Sequence, residues 1–495
     1  MKCSRYILSC VLFLFFNKID AQSFDEISKK YSNEMAVMKT YNREIKFSMQ
    51  KNLPVATSSE DVEMLILQDR ANGIYNSYSV YHSSYNELKD IDAYTKVPDG
   101  SKYKKIKVTD MKTKDADRQS IFYDDSKETS FFFPALTTGA IAGVSTKEFH
   151  KDIHVLGPFY FASYIPILNA QYTVSFPSSM EIKYVVKNDA EGMIKVVEDN
   201  SGKQRSITFT ASDIKVKHRF GDAPSSAYYQ PHVLIYVASY TDNDDKKINV
   251  FDTKENFYKW NYSFLKNLNN EQSEVIKHLA DSLTQNITSP KLKSKAIYQW
   301  VQENIKYVAF ENGLEGFVPR QAKDVCTKRY GDCKDMSSLT TALLKAVGLE
   351  AYYTWIGTRD IPYDYDDVAL PLTDNHMIST VKIGDEWIFL DATDPNCAFG
   401  MPTKSIQTKQ ALLAVDENNF KIIRVPTMKP EQTTLIDSTF IKITDNGIAG
   451  NMSVSYDGYW GNDAYNTLLY KDPKDVREYV KYRMSKASNK FILGE

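Results

Sequence analysis

The sequence predicts a multidomain α+β protein: a β-sandwich N-terminal domain, a central domain that mixes helices with strands, and a C-terminal β-rich segment. Three observations predict it. The chain has 495 residues, and ordinary domain sizes then imply about three domains. Short runs of alternating apolar and polar residues fill residues 61–240, whereas three-and-four helical spacing takes over from Ser273. Composition supplies the cores: 42% hydrophobic, 13% aromatic and 25% charged residues describe a folded chain rather than a disordered one. A formal charge of −2 offers no basic surplus, so nucleic acid is not an expected partner.

The first element reads as a targeting segment. Lys2 and Arg5 precede the apolar run Tyr6 to Phe16, and Ala21 follows as a small residue for cleavage. That run falls short of the ~20 residues of a membrane span, so residues 1–21 are expected to be a cleaved signal peptide. The protein would then be periplasmic or secreted, with no stable membrane span. Cys10 sits before most of the apolar run, which argues against a lipid anchor.

Of five cysteines, Cys3 and Cys10 leave with that segment, and Cys326, Cys333 and Cys397 remain. An odd count in an exported protein is consistent with one free thiol and one disulfide, with Cys326 and Cys397 the candidate pair if Cys333 is free. Reading Cys326 and Cys333 as a redox pair fits less well, because their spacing is not Cys-x-x-Cys.

Residues 22–245 form the expected β-rich sandwich domain. Phe24 to Phe47 suits a short helix or an extended strand. Beyond it come strand patterns at Val62–Leu67, Ile74–Tyr81, Lys105–Val108, Tyr172–Phe176, Ile182–Val186, Ile194–Val197 and Ile207–Thr210. Turn signals such as Pro98-Asp99-Gly100 and Asn200-Ser201-Gly202 separate them. His82, His150, His154, His218 and His232 lie here without metal-ligand spacing, and read as structural or surface residues. The polar run Thr241 to Lys247 reads as a linker.

The central domain, residues 246–430, begins with helical patterns over Ser273–Leu283 and from Ser289-Pro290 through Ile305. Trp300 suits its core, and His278 a surface. Its focus is Tyr330-Gly331-Asp332-Cys333-Lys334-Asp335, followed by Leu339, Leu343, Leu344 and Val347 on one helical face and by Gly348 as a left-handed cap. Cys333 therefore stands at a helix N-terminus. Such a position can bring a cysteine pKa from ~8.5 into roughly the 3.5 to 7.5 range, and free backbone N–H groups there can hold an oxyanion.

A thiolate nucleophile calls for a base and a group that orients the base. One histidine follows Cys333 in the chain: His376, in a strand running to Ile383; Gly384-Asp385 then turns the chain into Glu386–Asp391. A two-residue turn sets Ile383 opposite Glu386 and Ile378 opposite Asp391. His376 and Asp391 become diagonal neighbours on one face, roughly 7 to 8 Å apart at the backbone. A slip of one residue would separate them.

These motifs resemble the transglutaminase-like superfamily of papain-like cysteine enzymes. The resemblance covers about residues 270–400 and rests on Tyr330 to Asp335, Asn375-His376 and Leu390-Asp391-Ala392-Thr393, with Val318-Pro319-Arg320-Gln321-Ala322 similar to the stretch that precedes the family's cysteine. It implies Cys333 as nucleophile, His376 as general base and acid, and Asp391 as orienter. It further implies an acyl-enzyme thioester formed from an amide bond of a peptide or protein substrate; it does not decide between water and an amine as acceptor, and hydrolysis is favoured because bacterial members of the superfamily are often hydrolytic. The N-terminal strands resemble the β-rich domain of unknown function that precedes this core in exported proteins of Bacteroidetes-type bacteria. This chemistry needs no metal or cofactor. The alternative is a binding or scaffolding protein that keeps the fold without turnover. Strand patterns at Phe440–Ile443 and Met452–Tyr456 and a helix from Pro473 make residues 431–495 a C-terminal β-rich segment, short beside the further β domain that similar proteins carry and consistent with truncation.

Overall fold

The structure, a computed structural model, describes residues 23–117, 123–216, 220–271, 273–311, 316–445, 447–469, 471–485 and 490–494. The targeting segment and His218 lie outside them. The chain divides into two compact units, one running to Ile248 without residues 118–124 and the other comprising those residues and everything from Asn249 onward.

In the first unit, the stretch open to either reading holds both elements. Ser23 caps the helix Phe24–Lys30 through a reciprocal box with Glu26, and the strand Ala36–Gln50 follows. That strand lies near the middle of an eight-stranded sheet, antiparallel to Leu53–Ile66 and parallel to Ile167–Pro177. A second sheet carries His232–Thr241 between Phe159–Tyr160 and Met180–Lys187. Aromatic side chains join these two layers: Phe159 stacks on Tyr41 and Tyr172 at 4.9 and 4.8 Å, and Tyr184 meets Phe209 edge-on at 4.9 Å. A third sheet sets Lys127–Phe132 between Ser77–His82 and Met111–Asp115. Ile74 and Tyr75, read as strand, belong to a short helix instead. The polar run after Thr241 is a tight turn in which the Asp242 carboxylate accepts from the backbone N–H groups of Asp244 and Lys246.

The second unit is built on a five-stranded antiparallel sheet in the order Glu386–Leu390, His376–Ile383, Glu350–Ile356, Gln410–Ala414, Phe420–Arg424. The helix Cys333–Ala346 packs on it, with Glu274–Thr284, Pro290–Asn304 and Ala322–Lys328 around that helix. Leu339, Leu343 and Leu344 are fully buried against Ile297, Val301, Val381 and Ile388. The helix ends where expected, with Gly348 at φ +78°. It buries more than one face, however: Ser337, Ser338, Thr340 and Thr341 are all at most 3% exposed, because each hydroxyl finds an acceptor inside the protein. Beyond Arg424 come the hairpin Leu435–Thr444 with Gly447–Tyr456 and the helices Tyr459–Leu468 and Pro473–Met484.

Candidate active site

Asp332 is the N-cap of the central helix and Cys333 its first residue. The cap is reciprocal: the Asp335 N–H donates to Asp332 Oδ1 at 3.3 Å, and the Asp332 N–H donates to Asp335 Oδ2 at 3.1 Å. Gly331 makes room for this fold-back, since a Cβ there would stand 2.6 Å from the Asp335 Cβ. The approach is held by a two-residue parallel pairing of Tyr330-Gly331 with Lys306-Tyr307. As an N1 residue, Cys333 offers a backbone N–H with no partner in the helix.

The hairpin begins with Ile383 opposite Glu386 and continues through Ser379 opposite Leu390, around a turn led by Gly384 at φ +60°. In that register His376 Nε2 lies 3.0 Å from Asp391 Oδ2. The Cys333 sulfur lies close enough to the His376 ring to raise its pKa. Cys333, His376 and Asp391 thus stand in series.

Asp391 is buried and His376 largely covered, at 3% and 12% side-chain exposure. Burial alone would raise the Asp391 carboxyl, but the imidazole and the hydroxyls of Thr393 and Thr403 hold it down at about 2. Thr393 Oγ1 donates to Asp391 Oδ1 at 2.6 Å and Thr403 Oγ1 to Oδ2 at 2.7 Å. Burial works to lower His376, but Asp391 and the Cys333 sulfur outweigh it and raise the ring well above its ordinary value. The imidazolium is therefore the favoured form.

The helix is tied to the His376 strand by hydroxyls. Ser337 Oγ donates to the Ile378 carbonyl at 2.6 Å, Ser379 Oγ donates to the Ser337 carbonyl at 3.0 Å, and Thr341 and Ser379 share a bond of 2.7 Å. Cys333, Ser337 and Thr341 fall at intervals of four, one stripe of the helix. Sequence reasoning missed Ser337, Thr341, Ser379 and Thr403. The four-residue interval was a usable signal for the stripe. Thr403 offered none.

Cys326 and Cys397 are both unpaired and buried, so no bridge joins them. Cys326 belongs to the main core, whereas Cys397 packs with Met401 and Tyr459 and donates its thiol to the Met401 carbonyl. Burial raises the Cys326 thiol and pushes Cys397 up to about 12, leaving both poor thiolates. Cys326 is not paired with Cys333 either. Among the described residues, no cluster of three or more His, Cys, Asp or Glu side chains is arranged to hold a metal ion. His150 is buried between Ser58 and Asn86, His232 bonds the Gln230 carbonyl, His82 meets Thr129, His154 meets Asp152, and His278 is exposed beside Glu274.

Residues 277–392 match the transglutaminase-like superfamily, and residues 56–217 match DUF3857, a domain of unknown function with a solved structure. The chain thus carries a transglutaminase-like core behind a DUF3857 domain. The crystal structure of a presumed protease from Parabacteroides distasonis shares the fold at 13% identity and a TM-score of 0.61, over 80% of this chain and 72% of that one. A presumed cysteine protease from Cytophaga hutchinsonii aligns at 14% identity over 63% of this chain and 79% of its own, with a TM-score of only 0.22. No curated protein matches the chain.

Proposed function

We propose that the chain is an exported cysteine enzyme that cleaves amide bonds in a peptide or protein, with Cys333 as nucleophile, His376 as base and acid, and Asp391 as orienter. The observation that carries this reading is the His376 ring, paired with Asp391 at 3.0 Å and near enough to the Cys333 sulfur to be raised by it. The fold shared with the presumed Parabacteroides protease is in keeping with hydrolysis. Export rests on the sequence of residues 1–21; among the described residues no helix is long and apolar enough to cross a membrane.

The chemistry follows from the geometry. His376 holds the thiol proton as imidazolium, and the sulfur attacks the carbonyl carbon, forming a C–S bond while the oxygen gathers negative charge. The free N–H of Cys333 at the helix start is suited to that oxygen. Return of the proton from His376 to the departing amine breaks the C–N bond and leaves a thioester. Water, deprotonated by His376, then attacks the thioester, and the released thiolate recovers the proton.

Incubating wild type and Cys333→Ala with a peptide library, with and without a primary amine, tests this. Cleavage that disappears in the variant is expected. Amine incorporation in place of cleavage would reassign the acceptor, and turnover surviving the substitution would overturn the assignment of Cys333. Bulk-like reaction of Cys333 with a thiol probe at neutral pH would favour a scaffold over an enzyme.

A further inference from the structure

The mechanism gives no task to Arg320 or Asp335, two charged residues of the motif-bearing stretches. Asp335 is 2% exposed and accepts four hydrogen bonds: from Arg320 N to Oδ1 at 2.8 Å, and to Oδ2 from Arg320 Nε at 2.9 Å, Arg320 Nη2 at 2.6 Å and Asp332 N at 3.1 Å. Arg320 is gripped in return. Its carbonyl accepts from Ser338 Oγ at 2.8 Å, its Nη2 lies 3.3 Å from the Tyr330 carbonyl, and its guanidinium stands 5.0 Å from the centre of the Tyr330 ring. One carboxylate and one guanidinium therefore join the loop before the Ala322–Lys328 helix, the Tyr330-Gly331 strand and the first turn of the Cys333 helix.

The arrangement has an electrostatic cost. A carboxylate in the first turn suits the helix dipole, but a thiolate in that turn is repelled by it. Asp332 and Asp335 bring two buried carboxylates within two residues of the sulfur. Among the described residues, the groups that face this turn are Lys334, which pairs with Asp332 on the same segment; Arg320 and Tyr330 from the chain before it; and His376 and Asp391 from the hairpin. Lys334 and Arg320 each answer one of the two carboxylates. Without Arg320, an uncancelled negative charge would sit beside the nucleophile.

We propose that Arg320 and Asp335 are positioning residues that form a charge-balanced clamp: Asp335 fixes the turn that presents Cys333, and Arg320 cancels the charge that Asp335 brings beside the sulfur. Neither needs to touch the substrate. The inference rests on Cys333 being the nucleophile, and it gives the arginine a task beyond holding the fold.

Alkylation by iodoacetamide, followed across pH by mass spectrometry of the Cys333 peptide, tests the clamp without knowledge of the substrate. Arg320→Gln should move the half-maximal pH up by about one unit, with an about tenfold slower reaction at neutral pH. Arg320→Lys keeps the charge but not the fork, and should stay near wild type. The double variant Arg320→Gln/Asp335→Asn removes one charge of each sign and should return toward wild type. Equal shifts in the Gln and Lys variants, no shift in the Gln variant, or a double variant shifted as far as the single would overturn the clamp. If circular dichroism shows that Arg320→Gln alone does not fold, the other two variants decide, and a profile shifted in either overturns it. Bulk-like alkylation of the wild type would overturn the nucleophile reading and the clamp with it; fast wild-type alkylation with an unshifted Arg320→Gln would overturn the clamp alone.

Discussion

Thr403 donates its hydroxyl to Asp391 Oδ2 across 2.7 Å, from 12 residues further along the chain. The carboxylate is buried and its other oxygen is occupied by Thr393. Thr403→Val keeps the shape and removes the donor, leaving a buried charge one bond short. A loss of about 1 to 3 kcal/mol in urea unfolding is expected, and wild-type stability would show that the hydroxyl contributes nothing net.

Asp391→Asn should act on the chemistry more than on the fold. Removing the charge takes away the main influence holding the His376 proton, so the imidazolium is lost at lower pH than in the wild type. The alkaline limb of the pH–rate profile should therefore move to lower pH, with turnover reduced about 10²- to 10⁴-fold. An unmoved alkaline limb would disconnect Asp391 from the titration of His376.

Ser337 and Thr341 tie the nucleophile's helix to the strand of the base. Ser337→Ala and Thr341→Val should each cost about 1 kcal/mol, and more where the abandoned acceptor stays dry. A double-mutant cycle should show coupling, since both bonds meet the short segment Ile378–Ser379. Additive losses would mean that the two ties act separately.

Asp374 lies two residues before His376 and accepts a hydrogen bond from Tyr365 Oη at 2.8 Å. Burial pushes its carboxyl up to about 7. The folded protein therefore holds this proton more tightly than the unfolded chain, whose carboxyl titrates near 3.9. The stabilisation is fully present below that value and is lost as pH rises to about 7, on the order of a few kcal/mol. Asp374→Asn should remove this decline, which chemical unfolding at a series of pH values would reveal; parallel stability curves for the two proteins would refute it.

Much of the candidate site could be read along the chain because its parts are local. The Gly384-Asp385 turn fixes how its two strands pair, and the pairing brings His376 to Asp391. The leucine spacing and Gly348 bound the helix that Cys333 begins. The histidines of the first unit show the opposite case. His150 bonds Ser58 and Asn86 from 92 and 64 residues away, which no spacing rule could supply. Ser337 and Thr341 of the central helix are likewise buried because the strand residues Ile378 and Ser379, about 40 positions on, offer them acceptors, which helical spacing could not supply.

The sequence by itself determined the helix that Cys333 begins, the residues on its apolar face and the register of the following hairpin, because periodicity and turn chemistry act over a few neighbouring residues. Only the tertiary structure decided the rest: the parallel pairing of Ala36–Gln50 with Ile167–Pro177, the unpaired state of Cys326 and Cys397, and the bonds of Arg320 to Asp335 and of Thr403 to Asp391. The physical reason is that a buried polar group must find a partner wherever the packed chain brings one within about 3 Å. Separation along the sequence does not enter into that requirement.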